Sequence, residues 1–116
     1  MQSWRNIPAV PINGYKDLTL SCCDPEAAER IFMTSGTTKN GVRGKCHHPT
    51  LSVYDTSMIT AFRQRFMQEH TKLRMGILFP TEQTMPNSSL AHYLALALNE
   101  FGSDGSRYLF NDDGLD

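Results

Sequence analysis

The stretch Arg30–Lys45, RIFMTSGTTKNGVRGK, places small hydroxyl residues, glycines and cations in the order that an anion-binding loop requires. A short apolar segment leads into Ser35, and Gly36 and Gly41 can adopt the positive φ values of a tight bend. Successive backbone N–H groups in such a bend form a concave nest for an anion. The side chains that could add hydroxyl donors or positive charge are those of Ser35, Thr37, Thr38, Lys39, Arg43 and Lys45. The segment therefore has the chemistry of a phosphate cradle.

Two other kinds of loop have a similar composition. This segment is not a Walker-type P-loop, because the glycine-then-lysine spacing is absent and no helix is predicted directly after it. A turn rich in Ser, Thr and Gly is also typical of an ordinary solvated turn, which composition alone leaves open.

A second group of reactive side chains consists of Cys22, Cys23, Cys46, His47 and His48. Thiolate and imidazole are the usual ligands of structural zinc, but neighbouring side chains in an extended segment point to opposite faces. Zinc knuckles space their ligands two to four residues apart, so we predict no metal site. A cysteine nucleophile beside a histidine has no third orienting group, and these five residues are given no role. We interpret His92 and His70 as ordinary structural histidines.

The elements that would hold the loop alternate between strand and helix. The predicted strands are RIFM (30–33), LRMGILFP (73–80, stopped by Pro80) and SRYLF (106–110). One helix is predicted from about Thr50, with an apolar stripe at Tyr54, Met58, Phe62 and Phe66. Another is predicted over 90–101, capped by Asn87 or Ser88 and stopped by Gly102.

Smaller features complete this prediction. Asp24 and Pro25 are predicted to begin a short helix, and the opening segment, through IPAVPINGYKDLTL, is expected to be extended segments and turns. The alternation predicts an α/β fold, a partial layered sheet with flanking helices in which successive strands can lie parallel. Residues 1–116 are expected to form a single, incomplete domain that is cut in mid-fold, with the loop-bearing segment at 32–45.

Composition narrows the class of protein. The chain has 116 residues, 40% of them hydrophobic, which is enough for one small core. Eleven basic and twelve acidic residues nearly cancel, which argues against nucleic acid as a partner. No apolar run reaches the length of a membrane span, no secretion signal is recognised, and three cysteines make a poor disulfide framework. A cytoplasmic location is expected.

The order of residues in the loop adds a family resemblance. The string TSGTT after an apolar strand resembles the phosphate-loop signature of the adenylate-forming enzymes, which include acyl-CoA synthetases and peptide-synthetase adenylation domains. The flanking strings IPAVPINGYK, GVRGKCHHPTLSVYDTS and LFPTEQTMPNSSLAHYL resemble one branch, the acyl-protein synthetases of the LuxE type. Those enzymes activate a fatty acid as an acyl-adenylate and transfer it to a protein thiol.

The resemblance implies specific ligands and residues. ATP and Mg²⁺ would be the cofactors, and a fatty acyl substrate and a protein acyl acceptor would be the partners. The loop positions carried over are Thr34, Ser35, Gly36, Thr37 and Thr38, with Lys39 and Arg43 as accompanying cations. Lys39 and Asn40 stand where the family usually has glycine, and Ser88 and Ser89 match the family's SSL segment.

The parts of the family that grip adenine, ribose and Mg²⁺, and its mobile C-terminal lysine, have no counterpart in this sequence. We therefore expect weak nucleotide binding and no activity from this chain alone. The alternative hypothesis is a small non-catalytic binding or assembly module that self-associates as a homo-oligomer.

Overall fold

Short strands in pairs, joined by three α-helices, make up a computed structural model that describes residues 3–6, 8–35, 41–111 and 114–115. The strands are β1 (Arg30–Met33), β2 (Lys45–His48), β3 (Gly76–Ile77), β4 (Arg107–Tyr108), β5 (Phe110–Asn111) and β6 (Gly114–Leu115). The α-helices are α1 (Gly14–Asp17), α2 (Ser52–Phe62) and α3 (Ser89–Phe101), and α2 continues as a π-helical turn over Arg63–Met67. Short 3₁₀ turns lie at Trp4–Asn6 and Pro25–Ala27. The mixture of helices and small sheets agrees with a small α/β fold.

Strands β1 and β2 form the antiparallel hairpin that carries the loop, with Phe32 opposite Cys46 and Met33 opposite Lys45. The sequence predicted β1 but not β2, which was interpreted as a loop exit. The segment KCHH lacks the apolar alternation of a half-buried strand, and Lys45 and Cys46 are exposed. Pairing with β1, not burial of its own side chains, accounts for this strand.

Strands β3 and β4 lie parallel on either side of α3 in the chain, with Ile77 opposite Tyr108. The backbone N–H groups of Arg107 and Leu109 donate to the carbonyl oxygens of Met75 and Ile77 at 2.9 and 2.8 Å. This confirms the predicted parallel pairing of successive strands. The described strands form three separate two-stranded sheets, so a continuous layered sheet is not seen.

Helix α3 begins and ends where the sequence predicts. The Ser88 hydroxyl caps it by accepting the N–H of Ala91 at 3.2 Å, and the C-cap is Gly102. The backbone at Gly102 has φ −67°, which any residue can adopt. Glycine is needed there because a Cβ atom would lie 2.4 Å from the Leu98 carbonyl oxygen.

The apolar stripe of α2 is only partly as predicted. Met58 is buried, but Phe66 is 60% exposed and Met67 is 1% exposed. The π-helical turn over Arg63–Met67 adds one residue per turn relative to an α-helix, so the inward position after Phe62 comes five residues later instead of four. Phe66, the last member of the predicted apolar stripe, is therefore not a core residue.

Few apolar residues in the described part of the chain are buried. They are Phe32, Leu51, Met58, Met67, Ile77, Ala91, Ala97 and Phe101. The opening segment is mostly irregular, as expected, but it also contains α1. Asp24 caps the 3₁₀ turn that starts at Pro25, because its side chain accepts the N–H of Glu26 at 3.0 Å. Within the described ranges, no helix has both the length and the apolar character needed to cross a bilayer.

Candidate functional site

The base of the predicted phosphate loop is closed by two hydrogen bonds between Thr34 and Gly44. The Thr34 N–H donates to the Gly44 carbonyl oxygen at 3.0 Å, and the Gly44 N–H donates to Thr34 Oγ1 at 2.9 Å. The amide of Thr34 is therefore used inside the hairpin and does not face an anion. Its hydroxyl hydrogen remains able to donate, because Oγ1 acts as the acceptor in the second bond.

Ser35 and Arg43 are predicted loop residues that the structure describes, one on each side of residues 36–40, and both are exposed. They line a cavity of about 710 Å³ together with Ser88 and Ser89 at the start of α3. The remaining predicted ligands, Gly36, Thr37, Thr38 and Lys39, lie outside the described residues. The structure thus brings both ends of the loop to one cavity, beside the segment that the sequence singled out as SSL.

A second cavity, of about 550 Å³, shares Thr34 and Ser35 with the first and is bordered by α1. Thr34, Ser35 and Lys45 contribute its polar rim. Its apolar side chains are those of Ile12, Tyr15, Phe32, Met33 and Cys46. The described ends of the loop therefore border one cavity with hydroxyl groups and a guanidinium and another with mainly apolar side chains.

The segment between Pro80 and α3 forms a wall of the first cavity, and hydrogen bonds connect it to β1. The Met33 N–H donates to the Asn87 carbonyl oxygen at 2.8 Å. The Arg30 guanidinium donates to the Pro86 carbonyl oxygen and pairs with Glu82, both at 3.0 Å. These contacts fix the distance between the hairpin and the N-terminus of α3.

His92 connects the same segment to the interior of the protein. Its Nδ1 lies 2.7 Å from Glu82 Oε1 and its Nε2 lies 2.8 Å from Asp55 Oδ1, while the residue is only 7% exposed. Each ring nitrogen of His92 therefore has a carboxylate oxygen within hydrogen-bond distance. With both nitrogens occupied, His92 has none left to act as a base or a metal ligand.

Sequence reasoning missed this cluster of Arg30, Asp55, Glu82 and His92. His92 is 10 positions from Glu82 in the chain and 37 positions from Asp55. No short sequence motif can therefore predict the cluster. The one available signal was a histidine on the apolar side of α3, which we interpreted as partly buried. The structure instead places it fully inside, between two carboxylates.

An aromatic cluster packs between the hairpin and the two long helices. The ring centroid of Phe32 lies 5.1 Å from that of His48, 5.3 Å from that of Tyr54 and 5.6 Å from that of His92. The Tyr54 hydroxyl donates to the Ser89 carbonyl oxygen at 3.1 Å. Burial raises the pKa of Tyr54, and Tyr93 and Asp55 raise it further. Tyr54 therefore stays a neutral donor that holds the first turn of α3 against α2.

The cysteine and histidine group is not assembled into one site. Cys22 and Cys46 are exposed, and Cys23 lies 3.4 Å from the Ser21 hydroxyl. In the described part of the chain, no three His, Cys, Asp or Glu side chains are placed to hold a metal ion. His47 Nδ1 is buried without a hydrogen-bond partner.

Comparisons with protein-family models, with curated proteins and with solved structures found no match to this chain.

Proposed function

We propose that this chain carries the phosphate-binding part of an ATP-dependent acyl-adenylate-forming ligase of the acyl-protein synthetase type. Its small α/β fold would then be a piece of the layered N-terminal domain of such an enzyme. The observation that supports this best is the cavity of about 710 Å³ shared by Ser35, Arg43, Ser88 and Ser89. Hydroxyl donors and a guanidinium on one cavity are the groups that bind phosphate oxygens.

The reaction assigns a task to each loop residue. A fatty acid carboxylate oxygen attacks the α-phosphorus of ATP, the bond to the β-phosphate oxygen breaks, and pyrophosphate leaves. A protein thiol then loses its proton and attacks the acyl carbon, and AMP leaves. Ser35, Gly36, Thr37 and Thr38 would donate hydrogen bonds to the leaving phosphates. Lys39 and Arg43 would offset their charge; such preorganised donors stabilise charge as it develops.

Magnesium fits this proposal only as a phosphate-bound ion. The described residues offer no three-ligand acidic or histidine cluster for it. Mg²⁺ is commonly held by phosphate oxygens and water with few protein ligands, and when bound it would offset part of the phosphate charge.

Thermal unfolding with and without ATP–Mg²⁺ tests the proposal. We expect a small rise in Tm, because a ligand that binds only the folded chain stabilises it. The rise should disappear in the double variant Ser35→Ala with Thr37→Ala. The matched control is Ser57→Ala with Thr60→Ala, which removes two exposed hydroxyls from α2.

Two outcomes would contradict the proposal as stated. The absence of any ATP effect, or an equal rise in both double variants, would remove the phosphate role of the loop. ATP–pyrophosphate exchange should be undetectable with this chain alone. Exchange at the rate of an intact ligase would show that the expected need for further parts was wrong.

A non-catalytic assembly module is the second candidate function. It is favoured by the large radius of gyration and by the exposed apolar side chains. The Cα radius of gyration is 17.1 Å, against about 13 Å for a compact chain of this length. Ile12, Val53, Leu78 and Leu18 are between 63% and 84% exposed. Large apolar side chains in contact with water favour association with another surface.

A further inference from the structure

We propose that the surface around α1 and the adjoining end of the β1–β2 hairpin is a docking site for an anionic lipid bilayer. This surface, called the α1 surface below, consists of four exposed apolar or aromatic side chains and two cations: Ile12, Tyr15, Leu18, Val42, Arg43 and Lys45. The inference goes beyond the proposed function, because it requires neither ATP binding nor catalysis.

The apolar side chains of the α1 surface are in contact with water. Ile12 is 84% exposed and Leu18 is 63% exposed, and they flank the short helix α1 in the chain. Tyr15, on the helix itself, is 43% exposed, and Val42 is 47% exposed. Removing such side chains from water would contribute to binding in proportion to the apolar area buried.

Two neighbouring cavities join these side chains into one surface. Ile12 and Tyr15 line the cavity of about 550 Å³, and Tyr15, Leu18 and Val42 line another of about 410 Å³. Tyr15 and Lys45 border both cavities, so the two lie side by side. The exposed apolar groups are therefore neighbours in space, and a contiguous exposed patch marks an interaction site where scattered single residues do not.

The charge of the α1 surface favours an anionic partner. Arg43 and Lys45 are exposed and line the cavity of about 410 Å³, where Asp17 is the single acidic residue among the described lining residues. Within the described ranges, neither Arg43 nor Lys45 takes part in an ion pair. Each Lys or Arg close to an anionic membrane surface strengthens the attraction to it.

An anionic bilayer matches the apolar side chains and the cations together. Binding at a membrane interface increases with the apolar area buried and with the attraction of cations to anionic lipids. Tyr15 suits the same depth, because tyrosine has an apolar ring and a polar hydroxyl. A highly charged soluble partner would match Arg43 and Lys45, but it would not remove Ile12 and Leu18 from water.

Co-sedimentation of the whole chain with lipid vesicles tests the proposal. We expect binding to vesicles of phosphatidylcholine mixed with phosphatidylglycerol, and much weaker binding to phosphatidylcholine alone. The double variant Ile12→Ser with Leu18→Ser should bind the mixed vesicles about tenfold more weakly or worse, because less apolar area is buried. Lys45→Gln should bind them about fivefold more weakly. Arg43 is left intact, so this test is independent of the test of nucleotide binding.

The matched controls make the same kinds of change away from the α1 surface. Val53→Ser with Phe66→Ser removes two apolar side chains, 72% and 60% exposed, from α2 and its π-helical turn. Arg65→Gln removes an exposed cation from the same turn. Neither control should change vesicle binding. A cooperative unfolding transition above the assay temperature shows that each variant is folded.

The remaining outcomes overturn the proposal. They are the absence of binding to mixed vesicles, equal binding to neutral vesicles, and equal losses in the α1-surface and control variants. If monomeric dihexanoyl-phosphatidylglycerol binds but vesicles do not, the cavities bind single amphiphiles instead of a bilayer. If Ile12→Ser with Leu18→Ser changes the sedimentation coefficient without lipid and leaves vesicle binding unchanged, the surface contacts another copy of the chain instead.

Discussion

At the scale of single residues, His92 matters more to the arrangement of the site than any loop residue that the structure describes. It joins α3 to Asp55 on α2 and to Glu82, which in turn holds Arg30 on β1. Removing its ring would leave the partly buried Asp55 carboxylate without this partner, would leave Glu82 paired with Arg30 alone, and would open a cavity in the interior. Polar clusters of this kind are costly to break because the remaining groups stay unsatisfied.

We predict that His92→Ala lowers the free energy of unfolding by about 2 kcal/mol or more, because the contacts of the ring with two carboxylates and its packing are lost. Urea unfolding at neutral pH measures this change from the transition midpoint at constant slope. His70→Ala is the control, since His70 is exposed beyond the π-turn. Equal midpoints for the two variants would mean that the carboxylate pair contributes nothing to stability.

Tyr54 gives a prediction that depends on pH. Burial, followed by Tyr93 and Asp55, raises its pKa above the ordinary value, which is about 10. The folded chain then holds this proton more tightly than the unfolded chain. The contribution is fully present below the ordinary pKa and is lost as pH rises through the raised value.

We therefore expect the stability of the wild-type chain to fall above about pH 10 more steeply than that of Tyr54→Phe, which has no proton to lose. At neutral pH the variant should be slightly less stable, because the bond to the Ser89 carbonyl is missing. The measurement is the Tm difference between the two proteins across the alkaline range. A difference that stays constant, or that grows with pH, would contradict the assigned direction of the pKa.

At the scale of elements, the π-turn that follows α2 decides which side chains enter the core. Phe62 stacks on Phe101 with ring centroids 5.1 Å apart, and Met67, not Phe66, fills the next inward position. π-helical turns add a residue without interrupting the helix, so they leave no strong mark in a four-residue repeat. Finding out whether Met67 or Phe66 is the buried side chain therefore tests whether the π-helical turn is present.

We predict that Met67→Ala lowers the free energy of unfolding by about 3 kcal/mol, in the range for a buried methionine. Phe66→Ala should cost much less, because Phe66 is 60% exposed and keeps only its stacking on Phe62. Chemical unfolding of both variants makes the comparison. A larger loss for Phe66→Ala would restore the regular α-helical register that the sequence pattern favoured.

A structural feature could be predicted from sequence only where the residues that define it are close together in the chain. The bounds of α3 followed from an uninterrupted apolar repeat, a serine cap and a glycine stop, all within the helix and its caps. The strand β2 and the His92 cluster could not be predicted, because each exists only through a partner far away in the chain. For the candidate site, local chemistry predicted Ser35 and Arg43, which line one cavity, whereas the packing of α1 against Gly44 joins segments that are far apart in the chain.

At the scale of the whole molecule, the edge of β3 opposite β4 has no strand paired with it among the described residues, and such an edge can bind a partner strand. Bonds to the neighbouring segment use Leu73, Met75 and Ile77, so the backbone groups of the residues between them point to the opposite edge. The residues in question are Arg74, Gly76 and Leu78, and all of them are exposed. An open edge with an apolar side chain beside it is a template for strand pairing between molecules.

If the chain acts as an assembly module, sedimentation velocity should show a coefficient that rises with protein concentration and does not respond to ATP–Mg²⁺. Leu78→Lys should shift the distribution towards monomer, because it places a charge on the edge where a second copy would pair. Val53→Lys is the matched control, since Val53 is 72% exposed but lies on α2, away from that edge. A single monomeric species at every concentration would exclude self-association, and equal shifts in the two variants would place the contact elsewhere. ATP-dependent dissociation would instead connect the edge to the phosphate site, because only a ligand with different affinities for monomer and oligomer can shift that equilibrium.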